Sequence, residues 1–306
     1  MLALTMFTVY ILMDTFVITR VYGDEESASA SNQEVQVSDT QNENADSSSD
    51  AAQAVTSEDT YKDENFSVTL KEYRINDTTV YAADVEVSSP DYLKTALAQG
   101  LYGRNIKQET SGIAEDNNAV LAINGDYYGA RESGYVIKNG VLYRDEASAG
   151  REDLVIYKDG SCEIISEDEV SAEELMEKGA VQTFSFGPAL LEGGSIAVGT
   201  DEEVGQAMAS NPRTAIGIID ENHYVFVVSD GRTDESEGLS LHELADFMKE
   251  LGCETAYNLD GGGSSTMYFN GNVVNNPTGG GAGHKSGSER SVSDIVYIGY
   301  SSQEAV

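Results

Sequence analysis

Asp260 closes an apolar run and is followed by Gly261-Gly262-Gly263-Ser264-Ser265. Successive glycines let backbone N–H groups turn toward one point, an anion-binding arrangement, and the two serine hydroxyls add donors. The lysine of a nucleotide-binding P-loop is missing, which argues against triphosphates. Arg213 and Arg232 each stand beside a turn at a strand edge, and Arg290 follows Ser288-Glu289. A guanidinium grips phosphate through two parallel hydrogen bonds, so these are phosphate-binding candidates. Asp126 and Asp230, like Asp260, end apolar runs. Carboxylates so placed suit acid–base work in glycosyl transfer, or ligation of a hard cation such as Ca²⁺ or Mg²⁺ by oxygen. Residue type alone leaves two simpler readings open: turn chemistry for an Asp that precedes Gly, and pairing of each arginine with a surface carboxylate. His223, His242 and His284 have no metal-ligand spacing, and only His284, within the glycine-rich stretch Gly279 to Gly287, stays a candidate. Cys162 and Cys253 are either a disulfide or two buried thiols. There is no EF-hand spacing and no G-x-S-x-G elbow.

These residues sit at the ends of elements that the pattern predicts to be mostly strands. Phe66 to Ile75 and Thr78 to Val87 read as a hairpin across Asn76-Asp77. Asn139-Gly140 and Asp159-Gly160 mark two more hairpins, and Asp220 to Asn222 a fourth, between Thr214–Ile219 and His223–Ser229. Ala119 to Asn124 is a short apolar strand that runs into Gly125-Asp126-Tyr127-Tyr128. Val170 to Lys178 predicts a helix. Ser240 to Leu251 predicts the strongest one, with a Ser240/Glu243 capping box, one apolar face and Gly252 as its stop. Strands Glu254–Leu259, Thr266–Asn270 and Asp294–Gly299 follow. The expected fold class is α+β: a mainly antiparallel mixed sheet with a few helices, in a single catalytic domain.

The chain has 306 residues, with 18 Lys and Arg against 53 Asp and Glu, a formal charge of −35. A protein that grips nucleic acid or an anionic bilayer needs a basic face, so nucleic acid is excluded as a partner and a polybasic membrane surface with it. Part of the acidity lies in Gly23 to Thr60, which holds ten acids, eight Ser and no Lys or Arg. That composition reads as a disordered linker, with residues 23–62 taken as the segment. Residues 1–22 before it include the apolar run Met1 to Thr19 and read as a membrane anchor or signal segment. The catalytic domain is expected over 63–306, facing outside the cytoplasm. That domain still carries 42 acids against 16 bases, so Arg213, Arg232 and Arg290 would be local positive points in a repelling surface.

The segments AINGDYYG (Ala122 to Gly129), NPRTAIGI (Asn211 to Ile218), VVSDGR (Val227 to Arg232), GLSLHELADFMKELGC (Gly238 to Cys253), YNLDGGGSSTMYFNG (Tyr257 to Gly271) and ERSVSD (Glu289 to Asp294) occur in one order. Together they resemble the phosphodiester glycosidase family, over roughly Ala119 to Gly299. The resemblance implies hydrolysis of the bond between a sugar anomeric carbon, GlcNAc-like, and a phosphodiester oxygen, on an extracytoplasmic phospho-glycan or exopolysaccharide. It implies a site in which Arg213, Thr214, Arg232 and the loop Gly261, Gly262, Gly263, Ser264, Ser265 hold phosphate and Arg290 closes over it. Asp260 or Asp230 would orient water or stabilise positive charge on the sugar. Asn124 and Asp126 would hydrogen-bond the sugar, and Tyr127 and Tyr128 would stack on it. Two rivals remain at this level: a non-catalytic wall-polymer binding module, and a cation-dependent phosphodiesterase that cleaves P–O instead.

Overall fold

In the computed structural model, residues 19–22, 54–204, 210–279 and 286–300 are described. A nine-stranded sheet runs from Ser195–Ile196 through Ala189–Glu192, Thr255–Asn258, Thr214–Asp220, His223–Ser229, Thr78–Val87 and Phe66–Ile75 to two short edge strands, Thr60–Lys62 and Val55–Thr56. A five-stranded sheet has the order Asn272–Val273, Met267–Phe269, Ala119–Asn124, Asp294–Gly299, Leu93–Leu97. All these pairings are antiparallel. A three-stranded sheet (Cys162–Ser166, Glu152–Tyr157, Ala180–Phe184) lies beside them.

The packing is layered. One apolar cluster joins Val85, Ile216, Phe226 and Tyr257 of the large sheet to Leu121, Ile123, Val296 and Ile298 of the second. On the outer side of the large sheet, helix Leu241–Glu250 buries Leu241, Leu244, Ala245 and Met248 against Val225, Val227 and Ala256. On the outer side of the second sheet, helix Thr110–Asp116 buries Ile113 and Ala114 against Ala122, Ile295 and Tyr297. This is the α+β class expected, with every named sheet antiparallel. Burial of a strand on both faces removes the alternation and explains the near-continuous apolar runs, such as Asp294–Gly299, in which all six residues are buried.

The local signals became the elements they announced. Ser240 accepts from the Glu243 backbone while Glu243 accepts from Ser240, a reciprocal cap of the order of 1 kcal/mol. Gly252 takes φ +88° as the chain leaves that helix. The predicted helix at Val170 starts later, at Ala172, because Ser171 caps it with Glu174. The folded part also begins before Asp63. Val55–Thr56 pairs with Thr60–Lys62, which pairs with Phe66–Ile75, and Tyr61 stacks on Phe66 at 5.2 Å. The end of the segment expected to be a linker, residues 55–62, therefore lies in the sheet edge, where backbone pairing outweighs local composition. Arg20–Val21 pairs with Gly103–Arg104. The apolar run up to residue 18 and the stretch 23–53 lie outside the described residues. Among the described residues no helix is long and apolar enough to cross a membrane.

Candidate active site

The site forms where the chain crosses between the two large sheets. Thr255–Asn258 ends in the first sheet, Met267–Phe269 begins in the second, and Leu259 to Thr266 bridges them. Asn124, at the end of a second-sheet strand, ties the crossing in place. Its amide donates to the Asp260 carbonyl at 2.6 Å, and its Oδ1 accepts from Thr214 Oγ1 at 2.8 Å and from the Thr266 N–H at 3.2 Å. The Asp260 N–H reaches the Gly125 carbonyl, and the Gly262 N–H reaches that of Pro212 at 2.8 Å. Three segments far apart in sequence thus meet here.

Two glycines show why their motifs carry glycine. A Cβ on Gly125 would lie 2.7–2.9 Å from the Asp294 carboxylate, inside contact distance. Gly262 has φ +62°, and a Cβ there would lie 2.8 Å from an Arg232 guanidinium nitrogen, so this guanidinium rests on the loop.

A cavity of about 260 Å³ opens at the crossing, lined by Asp260, Ser264, Arg290 and Tyr127 with Lys107, Ser291, Val292 and Ser293. Asp260 is 8% exposed. Its Oδ2 accepts from Ser264 Oγ at 2.6 Å and from Arg290 Nη2 at 2.8 Å, whereas no hydrogen bond among the described residues falls on Oδ1. Burial pushes the Asp260 carboxyl above the usual carboxylate range, against the opposing pull of Arg290, Ser264 and Arg131. Arg232 is exposed, and its guanidinium is held by Asn211 Oδ1. Burial, and then the positive charges of Arg290 and Arg213, lower the Arg232 guanidinium.

The structure corrects several sequence assignments. Asn124 and Thr214 are fully buried and bound to each other, so they act as struts, and neither the sugar contact expected of Asn124 nor the phosphate contact expected of Thr214 is open to them. Arg213 is 3% exposed; its guanidinium pairs with Glu203 at 2.5 Å and donates to the Leu239 carbonyl, so it lies beneath the site and is not an open phosphate clamp. Asp230 does not line the Asp260 cavity. Its Oδ1 accepts from the Asn276 N–H at 2.8 Å and from the Asn275 amide, which also holds the Ser265 carbonyl, so Asp230 props the glycine loop from behind. Asp126 is 2% exposed; its Oδ2 accepts from the Ser185 N–H at 2.7 Å, and its Oδ1 has no hydrogen-bond partner among the described residues. Tyr128 is buried against Tyr102 with its hydroxyl donating to the Ser293 carbonyl, which leaves Tyr127 as the ring at the cavity. Ser265, Gly262 and Gly263 are buried in the loop itself, and Gly261 is partly exposed. Among the described residues no three His, Cys, Asp or Glu side chains converge as metal ligands, so Asp126, Asp230 and Asp260 do not form a shared Ca²⁺ or Mg²⁺ site. Cys162 and Cys253 are free thiols. His284 lies outside the described residues.

Sequence reasoning missed Lys107, Arg131, and the buried ion pair of Lys138 with Asp294 at 3.0 Å. Arg131 stands shortly after Asp126, and in a chain with 18 cations its position near a motif was the available signal. Nothing local marks Lys138, which lies on a hairpin strand and meets Asp294 only in the fold.

Fold and site together define an α+β protein whose buried carboxylate shares a cavity wall with the Arg290 guanidinium and Lys107 beside a glycine loop. The chain belongs to the phosphodiester glycosidase family, which residues 117–299 match. It is 32% identical over 206 residues to the SPbeta prophage-derived uncharacterized protein YomE of Bacillus subtilis, a match covering 65% of this chain and 31% of that protein. It is 41% identical over 66 residues to the N-acetylglucosamine-1-phosphodiester alpha-N-acetylglucosaminidase of Mus musculus, covering 22% of this chain and 13% of the enzyme. The chain thus spans under a third of the length of these relatives. Its fold is similar to the catalytic domain of the zebrafish N-acetylglucosamine-1-phosphodiester alpha-N-acetylglucosaminidase, auto-inhibited by its pro-peptide (TM-score 0.60, 22% identity, 77% of this chain and 83% of that one). It is also similar to a hypothetical protein from Synechocystis (TM-score 0.59, 15% identity, 77% of this chain and 62% of that one).

Proposed function

We propose that this protein hydrolyses the bond between a sugar anomeric carbon and a phosphodiester oxygen, with a GlcNAc-like sugar in the Asp260 cavity. The observation that carries this reading is one buried carboxylate, open at Oδ1, held by Arg290 at 2.8 Å beside a glycine loop on which Arg232 rests, in a domain that is otherwise strongly acidic. Arg290 and Arg232 hold the phosphodiester, and Arg213 adds positive field from below. Asp260 Oδ1 faces the anomeric carbon, stabilises the oxocarbenium-like transition state and takes a proton from the attacking water. The C–O electron pair stays with the bridging oxygen, so the diester leaves as a phosphate monoester, a stable anion. This suits a cavity lined by a single carboxylate, because such a leaving group does not need a proton from a general acid. Tyr127 offers its ring to the sugar.

Turnover of a GlcNAc-1-phosphodiester in ¹⁸O water tests the reading. The label is expected in the released sugar. Label in the phosphate would mean P–O cleavage and a phosphodiesterase, and binding without product would mean a wall-polymer binding module.

We further propose that the protein acts outside the cytoplasm on a phospho-glycan or exopolysaccharide, tethered through its N-terminal segment. The support is the apolar run Met1 to Thr19 followed by an acidic, Ser-rich stretch. Cell fractionation tests this: the full chain is expected in the membrane pool, and a purely cytosolic distribution would sink the proposal.

A further inference from the structure

A second cavity, of about 290 Å³, lies on the other side of the Tyr127–Gly129 turn and is lined by Arg20, Arg104, Arg131, Arg144, Tyr102 and Tyr143, among others. Four of the 18 cations of the chain meet there, against the single carboxylate of Glu132. In a chain of net charge −35 such a concentration needs a cause.

The arginines are built in. Arg104 is 9% exposed; its Nη1 donates to Glu132 at 2.5 Å, and among the described residues no hydrogen-bond partner meets its buried Nε. Arg144 is fixed by the carbonyls of Gly134, Tyr128 and Arg131, at 2.6, 3.2 and 2.7 Å, and its side chain also acts on the Tyr102 hydroxyl, while among the described residues no hydrogen-bond acceptor meets its buried Nη2. Buried guanidinium donors without acceptors are costly, and an anion in the cavity would relieve that cost. Beside them Tyr102 lies between Tyr128 at 5.4 Å and Tyr143 at 4.9 Å, and Tyr143 is 37% exposed, an open ring face of the kind that receives the apolar face of a pyranose.

The two cavities share a wall. Tyr127 lines the first and Tyr128 the second, and consecutive Cα atoms stand about 3.8 Å apart. Arg131 lines the second cavity and pulls on the Asp260 carboxyl of the first.

We propose that this arginine–tyrosine cavity is a second anion subsite, which holds the neighbouring sugar phosphate of a glycan carrying phosphodiesters on successive units. The inference rests on the glycosidase reading and narrows its substrate class from a single capped sugar to a polymer.

The test compares a methyl phosphodiester of GlcNAc-1-phosphate with a synthetic trimer of GlcNAc-1-phosphodiester units, using the full chain. Arg104→Gln is expected to raise KM for the trimer about tenfold, the usual size for a lost charge-assisted hydrogen bond. Its kcat on the trimer, and both constants on the single unit, stay within twofold. Tyr143→Ala, at an exposed ring, gives the same split and serves if Arg104→Gln does not fold. Equal KM changes for both substrates, or none for either, overturn the subsite. Calorimetry separates the two readings: if the wild type turns over neither substrate, yet Asp260→Asn binds the trimer and loses that binding on adding Arg104→Gln, the subsite stands and the glycosidase reading falls.

Discussion

Asp260→Asn is expected to lower kcat on a GlcNAc-1-phosphodiester by about 10³-fold, or roughly 4 kcal/mol at 1.36 kcal/mol per tenfold. The substitution keeps the shape and an acceptor for Ser264 and Arg290, which both bind the same oxygen, but removes the negative charge that the oxocarbenium-like transition state needs. KM should change little, because the phosphodiester is held by arginines. The acid side of the pH profile gives a second readout. Burial raises the Asp260 carboxyl, so the ionised form is lost on acidification at a pH above the ordinary aspartate range. In the wild type kcat/KM should therefore fall as pH drops through that raised value, and the residual activity of Asp260→Asn should lack this limb. A folded Asp260→Asn variant within tenfold of wild-type kcat would remove Asp260 from the mechanism.

Lys138→Met should give the largest stability loss, about 3–5 kcal/mol, the usual result of leaving one member of a buried ion pair alone. Lys138 is 2% exposed and Asp294 fully buried; the ammonium lies 3.0 Å from the carboxylate, donates to the Thr183 carbonyl and rests 4.5 Å from the Phe184 ring centre. At roughly 2–4 °C per kcal/mol for a domain of this size, the melting temperature should drop by on the order of 10 °C. The loss should grow with pH. Burial pushes Asp294 up to about 6, with Asp126 adding to the rise and Lys138 opposing it. A folded pKa above the unfolded value of about 3.9 means stability that is complete below that value and lost as pH rises through the folded pKa. Without Lys138 the opposing pull disappears, so the loss extends to higher pH and the gap from wild type widens between pH 5 and pH 8. Adding Asp294→Asn should restore part of the stability and flatten the pH dependence. Thermal melts across that range check this; a gap that is small or constant with pH would mean that the pair is not coupled as its geometry implies. Because Asp294 packs against Gly125, the same variant should also loosen the turn that carries Asp126 and Tyr127.

Local physics explains what could be read from residue order. Asn76-Asp77 and Asn139-Gly140 turn at positive φ because those residue types tolerate it, so the hairpins were legible. The Ser240/Glu243 cap and the apolar stripe behind it lie within one helix, so that helix was legible too. The motif segments around Asp126, Arg213, Arg232, Asp260 and Arg290 were recognisable in order, and Asp260, Arg290, Ser264 and Tyr127 do line one cavity.

The division of labour among those motif residues was not legible, since a polar residue at a strand end looks the same whether it faces a ligand or a neighbouring backbone. Asn124 became a strut because the second sheet carries its strand against the Leu259 to Thr266 crossing. Arg213 was drawn to Glu203, and Asp230 to Asn275 and Asn276. The Lys138–Asp294 pair and the arginine–tyrosine cavity join residues with no sequence relation. Composition, turn chemistry and helical periodicity act over a few residues, so the sequence by itself determined the elements, the family and the list of reactive groups. Burial and pairing depend on which strands become neighbours across two packed sheets. Only the tertiary structure therefore decided which of those groups remain open to a substrate and which hold the site together.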